Sequence, residues 1–176
     1  MDVTNKTKVI ESLENNTVDF ALVSTLPKKL KVNQLELMPN DLYLVGNHEH
    51  AASLDKKALE EQTFLFRESG SATRGVMEKF LRGQNITPYK KVELTSNEAV
   101  KQSVVAGLGI SVMPMIGMKR ELDLGLLHII EHANLPITTR WRVLWRSNKE
   151  MSPVAIAFLE HLEQHHERLQ RELFSS

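Results

Sequence analysis

The stretch 94–114, LTSNEAVKQSVVAGLGISVMP, predicts a helix that runs through a glycine turn into a buried strand. Thr95 and Ser96 offer hydroxyls to cap a first helical turn, and Glu98 follows Thr95 at the spacing of a capping box. Gly107 is expected to take the positive φ with which many helices end. The apolar run after it is typical of a short strand covered on both faces. A chain built around this unit requires helices packed in layers against a sheet.

Helix and strand patterns alternate along the remaining chain. Helices are expected near residues 5–14, 54–62, 74–83 and 115–122 and from residue 153 onward, and strands near residues 18–23, 35–38, 42–45, 63–66, 92–94, 126–130 and 138–145. The run 18–23 is apolar enough to lie inside a sheet. The last helix is expected to bury a stripe of Ala155, Phe158, Leu159 and Leu162. This alternation predicts an α/β fold with a parallel or mixed sheet and helices on both faces.

Two sheets of modest size fit this order of elements better than one. We expect lobe I to comprise residues 1–50 and 147–176, and lobe II to comprise residues 51–146. The two crossover connections then lie near residues 47–52 and 146–153. In open α/β sheets, ligands bind at the carboxyl ends of the strands, so a ligand is expected between the lobes.

The composition excludes several classes of protein. Lysine plus arginine and aspartate plus glutamate number 22 each, so the chain lacks the basic excess of a broad nucleic-acid-binding surface. It has no cysteine, which excludes disulfides, thiolate metal sites and cysteine nucleophiles. The polar N-terminal residues do not resemble a signal peptide, and no apolar run is as long as a membrane span. We therefore expect a soluble cytoplasmic protein, or a fragment of one, without a membrane partner.

The loop 67–74 offers a candidate anion-binding site at the start of a predicted helix. Ser69, Ser71 and Thr73 supply hydroxyls, and Gly70 allows a ligand to approach the backbone. Arg74 opens a helix whose dipole favours negative charge at this end. The alternative is an ordinary helix cap followed by a solvated arginine.

Two further groups of polar residues are candidates for the same ligand. Thr95, Ser96 and Asn97 stand at the start of a second helix; the alternative is that they serve for capping alone. Ser24 and Thr25 follow the strand predicted at 18–23; the alternative is that they only end this strand. The three groups converge only if the chain folds into two lobes.

Other motifs are more typical of structural or solvent-exposed positions than of a functional site. His161 and His165 are four residues apart, as metal ligands on one helix face would be, but the glutamates around them and His166 indicate a solvated face. Trp141 and Trp145 are expected in the core or an interface. No P-loop, nucleophile elbow or dinucleotide-binding turn is present. We therefore expect no catalytic residue, no metal site and no cofactor.

Three motifs in order resemble the effector-binding domain of LysR-type transcriptional regulators. They are VDFALVS at 18–24, ESGSATR at 68–74 and SNEAV with AGLGISVMP at 96–114, and the resemblance covers nearly the whole chain. The longer form at 67–74, Arg-Glu-x-Gly-Ser-x-Thr-Arg, resembles the subgroup that contains regulators of carbon fixation and of sulfur metabolism.

The resemblance implies two Rossmann-like lobes, as in periplasmic binding proteins, with a small anionic metabolite as effector in the cleft. It implies a homodimer or tetramer that contacts promoter DNA through an N-terminal winged helix-turn-helix. Compared with the family pattern, that DNA-binding domain and the first strand and helix of lobe I are missing, and the second strand is a remnant around Val3. Either the chain is truncated, or a partner chain supplies the missing strand.

Two alternatives remain open from the sequence. A solute-binding protein of a transport system shares this two-lobed architecture. An enzyme on the same scaffold, such as a relative of dehydratases or deaminases, is a third possibility, although no paired acid and base supports it.

Overall fold

A computed structural model describes residues 4–50 and 53–174. The helices are α1 (Lys6–Glu14), α2 (Lys56–Glu61), α3 (Ala72–Gly83), α4 (Asn97–Val105), α5 (Lys119–Asp123) and α6 (Pro153–Phe174), with a 3₁₀ turn at Met115–Gly117. The strands are β1 (Ala21–Val23), β2 (Val32–Gly46), β3 (Thr63–Arg67), β4 (Lys90–Leu94), β5 (Ser111–Pro114), β6 (His128–Ile129) and β7 (Ile137–Arg146). Within the described ranges, no helix is both long enough and apolar enough to cross a membrane.

The chain divides into two compact units. Unit 1 comprises Met1–Asn40 and Thr139–Ser176, and unit 2 comprises Asp41–Thr138. The division falls within β2 and β7, the two long strands that carry the chain from one unit to the other. The lobe bounds given above stay a prediction.

Unit 1 is organised around the pairing of β1 with β7. The two strands are antiparallel, with Ala21 opposite Leu144. Helix α1 covers one face and contributes Leu13, which is fully buried against these residues. Asn5 caps the start of this helix, because its Oδ1 accepts a hydrogen bond from the Lys8 amide at 3.2 Å.

The prediction that residues 18–23 form an interior strand is wrong for this structure. Strand β1 has only three residues, and β7 is its one neighbour among the described strands. Leu22 is 54 % exposed. Phe20, which lengthened the apolar run, packs its ring 5.4 Å from that of Phe158. The apolar pattern therefore reflected side-chain packing as well as strand burial.

The two strands predicted at 35–38 and 42–45 are one continuous strand, β2. Pro39 does not interrupt it, because the fixed φ of proline is compatible with extended backbone. Next to it, buried Asn40 donates from Nδ2 to Thr139 Oγ1 at 2.8 Å, and Thr139 Oγ1 donates to the Asn40 carbonyl at 3.0 Å. This side-chain pair fastens β2 to β7.

Unit 2 contains the parallel pair β3 and β4, whose register runs from Thr63 opposite Lys90 to Arg67 opposite Leu94. Ile110 adds to β3 by donating to the Thr63 carbonyl and accepting from the Leu65 amide, both at 2.9 Å. Strand β5 then continues antiparallel to β2. All four residues of β5 are buried, as the prediction of a strand covered on both faces requires.

Alternate residues of β3 belong to two different hydrophobic cores in unit 2. Phe64 packs with Met77 and Phe80 of α3. Leu65 packs with residues of α4, including Val100 and Val104. Because neighbouring side chains of a strand point to opposite faces, the sheet of unit 2 is covered by a helix on each side. The predicted α/β layering is therefore observed.

The end of α3 agrees with the predicted bound, whereas the buried stripe predicted for α6 needs correction. Gly83 is the last residue of α3, but Asn85 takes the left-handed conformation beyond it, with φ of 53°. In α6, Ala155 is buried as predicted, whereas Phe158 is 46 % exposed. The apolar spacing alone could not show how much of this helix the sheet of unit 1 covers.

Candidate functional site

The candidate site in unit 2 lies where β3 and β4 end. These strands are parallel, and their last paired residues are Arg67 and Leu94. Each strand is followed by a short loop and a helix, α3 after β3 and α4 after β4. Both helix N-termini therefore open at the same edge of the sheet. The positive ends of the two helix dipoles make this edge favourable for an anion.

The start of α3 is an N-cap built from the predicted loop. Ser71 is 9 % exposed, and its Oγ accepts a long hydrogen bond of 3.5 Å from the Arg74 amide. Gly70 has φ of 88°, a conformation that glycine adopts without strain. Thr73 lies half-buried in the first turn, and Ser69 is exposed. The hydroxyls predicted for this loop thus stand around one helix N-terminus.

The start of α4 differs from the predicted capping box. Ser96, not Thr95, is the cap, and its Oγ accepts from the Ala99 amide at 3.0 Å. Glu98 instead accepts from Gln102 Nε2 at 2.8 Å and pairs with Lys101 at 3.0 Å. Its pKa is lowered by the hydrogen bond from Gln102 and then by that from Lys101. The box fails because the helix begins one residue later than the spacing implied.

The side chain of Arg74 is 27 % exposed, and its guanidinium is bound by groups of the chain itself. Its Nε donates to Glu78 at 2.8 Å, and its Nη1 donates to the Arg67 carbonyl at 3.0 Å and to the Glu93 carboxylate. The guanidinium also lies over the Phe66 ring, 5.8 Å from its centroid. Hydrogen bonds to Glu78 and Glu93 raise the pKa of Arg74 further above its ordinary value. Arg74 therefore fastens α3 to the ends of β3 and β4, and its role as a ligand contact stays a prediction.

Arg67 is the residue that joins the two helix starts, and the candidate residues selected from sequence did not include it. Its Nε donates to Glu68 Oε2 at 2.8 Å, and its Nη2 donates to Glu68 Oε1 at 3.0 Å. Its Nη1 donates to Oδ1 of Asn97, the first residue of α4. A charged residue at the end of the buried strand, inside the 67–74 motif, was the signal that could have indicated it.

The structure brings together two of the three predicted groups. Ser69, Gly70, Ser71, Thr73 and Arg74 precede or open α3, and Thr95, Ser96 and Asn97 precede or open α4, all at the same edge of unit 2. Ser24 and Thr25 follow β1 in unit 1, where both are half-buried. Their participation in the same site stays a prediction.

The histidines of α6 do not form a metal cluster. The His161 and His165 rings stack with centroids 4.2 Å apart, and His165 Nδ1 lies 2.8 Å from the His161 carbonyl oxygen. His166 Nδ1 similarly lies 2.8 Å from the Glu163 carbonyl oxygen. Over residues 4–50 and 53–174, no three His, Cys, Asp or Glu side chains are placed to hold a metal ion together.

One histidine of unit 2 should make stability depend on pH. Burial lowers the pKa of His50 below its ordinary 6.5, although the hydrogen bond with Asn47 acts in the opposite direction; His128 lowers it further and Glu49 raises it. The folded chain therefore favours the neutral ring. The resulting stability is complete above pH 6.5 and is lost as the pH falls through the lowered pKa.

We expect the free energy of unfolding to fall between about pH 7.5 and about pH 5.5, and to fall less in His50→Gln than in the wild type. Urea denaturation at both pH values measures the difference. Only the change of the unfolding free energy with pH is compared between the two proteins. Their absolute stabilities are not compared, because the substitution also alters the contact with Asn47. Equal pH dependence in the two proteins would contradict the assignment to His50.

The two compact units and their layers of helices and strands define the class of the protein as a two-unit α/β domain. The family model of the LysR substrate binding domain matches residues 1–167, so the chain belongs to this family. The family resemblance and the fold class predicted from the sequence are therefore confirmed.

Similar proteins are transcriptional regulators. The HTH-type transcriptional regulator CbbR of Rhodospirillum rubrum is 35 % identical over 164 residues, covering 92 % of this chain and 55 % of that protein. A RuBisCO operon transcriptional regulator of Allochromatium vinosum is 34 % identical over 164 residues, with 91 % and 54 % covered. The chain thus spans about half the length of these curated relatives.

A solved structure shows the same fold. The regulatory domain of CcmR from Synechocystis PCC6803, in complex with 2-PG, superposes with a TM-score of 0.85. It is 29 % identical, and the match covers 93 % of this chain and 80 % of that one. The likeness extends to most of both chains.

Proposed function

We propose that this chain is the effector-binding and oligomerisation domain of a LysR-type DNA-binding transcriptional regulator. The observation that carries the proposal is the family match over residues 1–167. The regulators among its relatives favour this role over the transport alternative. In this proposal the domain acts in the cytoplasm as a binding protein, without a catalytic residue or a cofactor.

The effector is a small anionic metabolite in this proposal. Two helix N-termini open at one edge of unit 2, and positive dipole ends favour negative charge. The hydroxyls of Ser71, Thr73 and Thr95 stand there as hydrogen-bond donors. The similar regulatory domain of CcmR is in complex with 2-PG, which makes 2-PG the first ligand to test.

The partners follow from the same assignment. We expect a homodimer or tetramer whose promoter contacts are made by a separate N-terminal domain. Equal numbers of acidic and basic residues support this division, because the chain itself has no basic excess with which to hold DNA. The RuBisCO operon regulators among the relatives support a role in carbon fixation.

Regulation works through a shift between conformations. An effector changes the arrangement of the subunits only to the extent that it binds one arrangement more tightly than the other. The change in subunit arrangement then alters the promoter contacts and hence transcription. The binding residues must therefore discriminate between two states of the domain.

Removing two hydroxyls from the helix starts should weaken ligand binding without unfolding the chain. We expect Thr73→Val with Thr95→Val to reduce the affinity for 2-PG by roughly a hundredfold or more, because each of the two lost hydrogen bonds to a charged group costs about 1.5–3 kcal/mol. Isothermal titration calorimetry measures the affinity. Ser96 is less suitable, because removing its cap should cost about 1 kcal/mol of stability.

Ser103→Ala serves as the matched control, because Ser103 lies toward the other end of α4. Its affinity for 2-PG should equal that of the wild type. Unchanged affinity in the double variant would count against the proposed site. Ser24→Ala with Thr25→Val then tests the contribution of unit 1 by the same titration.

A further inference from the structure

The edge of the Arg67 guanidinium that is best suited to bind an anion is directed at a neighbouring side chain. Nε and Nη2 form the edge of the guanidinium that offers two parallel donors, the geometry that matches a carboxylate or a phosphate. Both donors are taken by Glu68, at 2.8 and 3.0 Å. The side chains of Arg67 and Glu68 are only 13 % and 19 % exposed. The pair is therefore well formed and partly shielded from water.

The third nitrogen fixes where this edge of Arg67 lies. Nη1 donates to Asn97, the first residue of α4, while the Arg67 carbonyl accepts from Arg74 in the first turn of α3. Arg67 is thus held between the two helix starts that form the candidate site. A ligand anion at this edge of the sheet would meet the same guanidinium.

The charges at this edge are already matched within the chain. The guanidinium groups of Arg67 and Arg74 face three carboxylates, those of Glu68, Glu78 and Glu93. Among these five residues, negative charge exceeds positive charge. An anion gains a full positive partner here only if one of the carboxylates gives way.

We propose that Glu68 acts as an internal substitute for the effector: its carboxylate occupies the paired donors of Arg67, and the anionic group of the effector displaces it. This inference rests on the proposed function and adds Arg67 as a binding residue and Glu68 as a competitor. Because Glu68 lies at the start of the 68–71 loop, its side chain can turn away without moving β3. Asn97 keeps Arg67 in place during the exchange.

Charge removal at Glu68 tests the exchange. In Glu68→Gln, the side chain keeps its size but loses the negative charge, so we expect inorganic phosphate and 2-PG to bind about fivefold more tightly or better. In Arg67→Lys the paired donors are lost, and both ligands should bind roughly tenfold more weakly. Isothermal titration calorimetry of the 176-residue chain at constant ionic strength measures all three proteins.

Glu78→Gln is the matched control. It removes one negative charge from the same cluster but touches Arg74 instead of Arg67, so the affinity should change by less than about twofold. A gain as large as that of Glu68→Gln would mean that general electrostatics, and not exchange at Arg67, sets the affinity. Thermal unfolding of each variant shows that it is folded before it is titrated.

The remaining outcomes separate this inference from the proposed function. If the wild type binds 2-PG and Glu68→Gln binds it equally or less tightly, the exchange is overturned while the effector-binding function stands. If neither the wild type nor Glu68→Gln binds phosphate or 2-PG, Arg67 receives no anion even when released. That result would remove the support for an anionic effector at this edge as well.

Discussion

Replacing Gly109 with alanine is expected to destabilise unit 2 by about 3–5 kcal/mol or to prevent its folding. A Cβ at this position would lie 2.2 Å from the Thr63 carbonyl oxygen, and the residue has φ of +156°. The clash is with backbone, so it cannot be relieved by a rotamer change. Moving the two backbone segments apart would break the hydrogen bond from the Ile110 amide to the Thr63 carbonyl, which measures 2.9 Å. Urea denaturation followed by circular dichroism measures the loss.

Gly75→Ala is the control for this substitution. A Cβ at Gly75 would have no atom within 4 Å, and the residue lies inside α3. Alanine is the better helix former, so this variant should gain up to about 1 kcal/mol. A Gly109→Ala variant that loses less than about 1 kcal/mol would show that the strand junction adapts easily, contrary to the geometry.

Truncating Phe64 to alanine should cost about 3–5 kcal/mol, because the substitution leaves a cavity in a closed core. Phe64 is fully buried, and its ring centroid lies 6.4 Å from that of Phe66. Its neighbours come from β2, β5 and α3, so no single element can move in to fill the space. Urea denaturation measures the free energy of unfolding. The value for Phe64→Leu should lie between those of the wild type and Phe64→Ala.

The control for core truncation is Tyr89→Ala. Tyr89 is 88 % exposed, so its loss should change the unfolding free energy by no more than about 0.5 kcal/mol. A cost below about 2 kcal/mol for Phe64→Ala would mean that the surrounding side chains collapse into the cavity. The core would then be less rigid than its burial implies.

The layered fold was predictable because its signals are local. The apolar residues of β3 and β5, the capping hydroxyls and Gly107, which has φ of +76°, act on neighbours a few residues away. The joining of two predicted strands into β2 was not predictable in this way. It depends on β7, whose Thr139 meets Asn40 across 99 positions of sequence. The residue pattern of a single sequence does not indicate that β2 pairs with a strand so distant along the chain.

The candidate site shows the same limit at the level of side chains. The hydroxyl and glycine positions around Ser71 and Ser96 were visible as helix starts, and the structure places both starts at one edge. The sequence did not indicate which charged residues of the site form ion pairs. Arg74 is predicted to contact a ligand because it opens a helix, and the sequence does not show that its partner Glu93 comes from the next strand. Charge pairing depends on which strands are adjacent, and this is decided by the whole sheet.

The division of the chain also bears on how it is made. Unit 2 is one continuous segment, so all its contacts become available while the ribosome is still adding α6. Unit 1 is interrupted: α1 and β1 are made before unit 2, but among the described strands β1 pairs only with β7, which is made after it. Loop closure over such a distance is slow, and domains form as units during synthesis. Unit 2 should therefore fold before unit 1, and α1 and β1 stay exposed to proteases and chaperones until β7 has been synthesised.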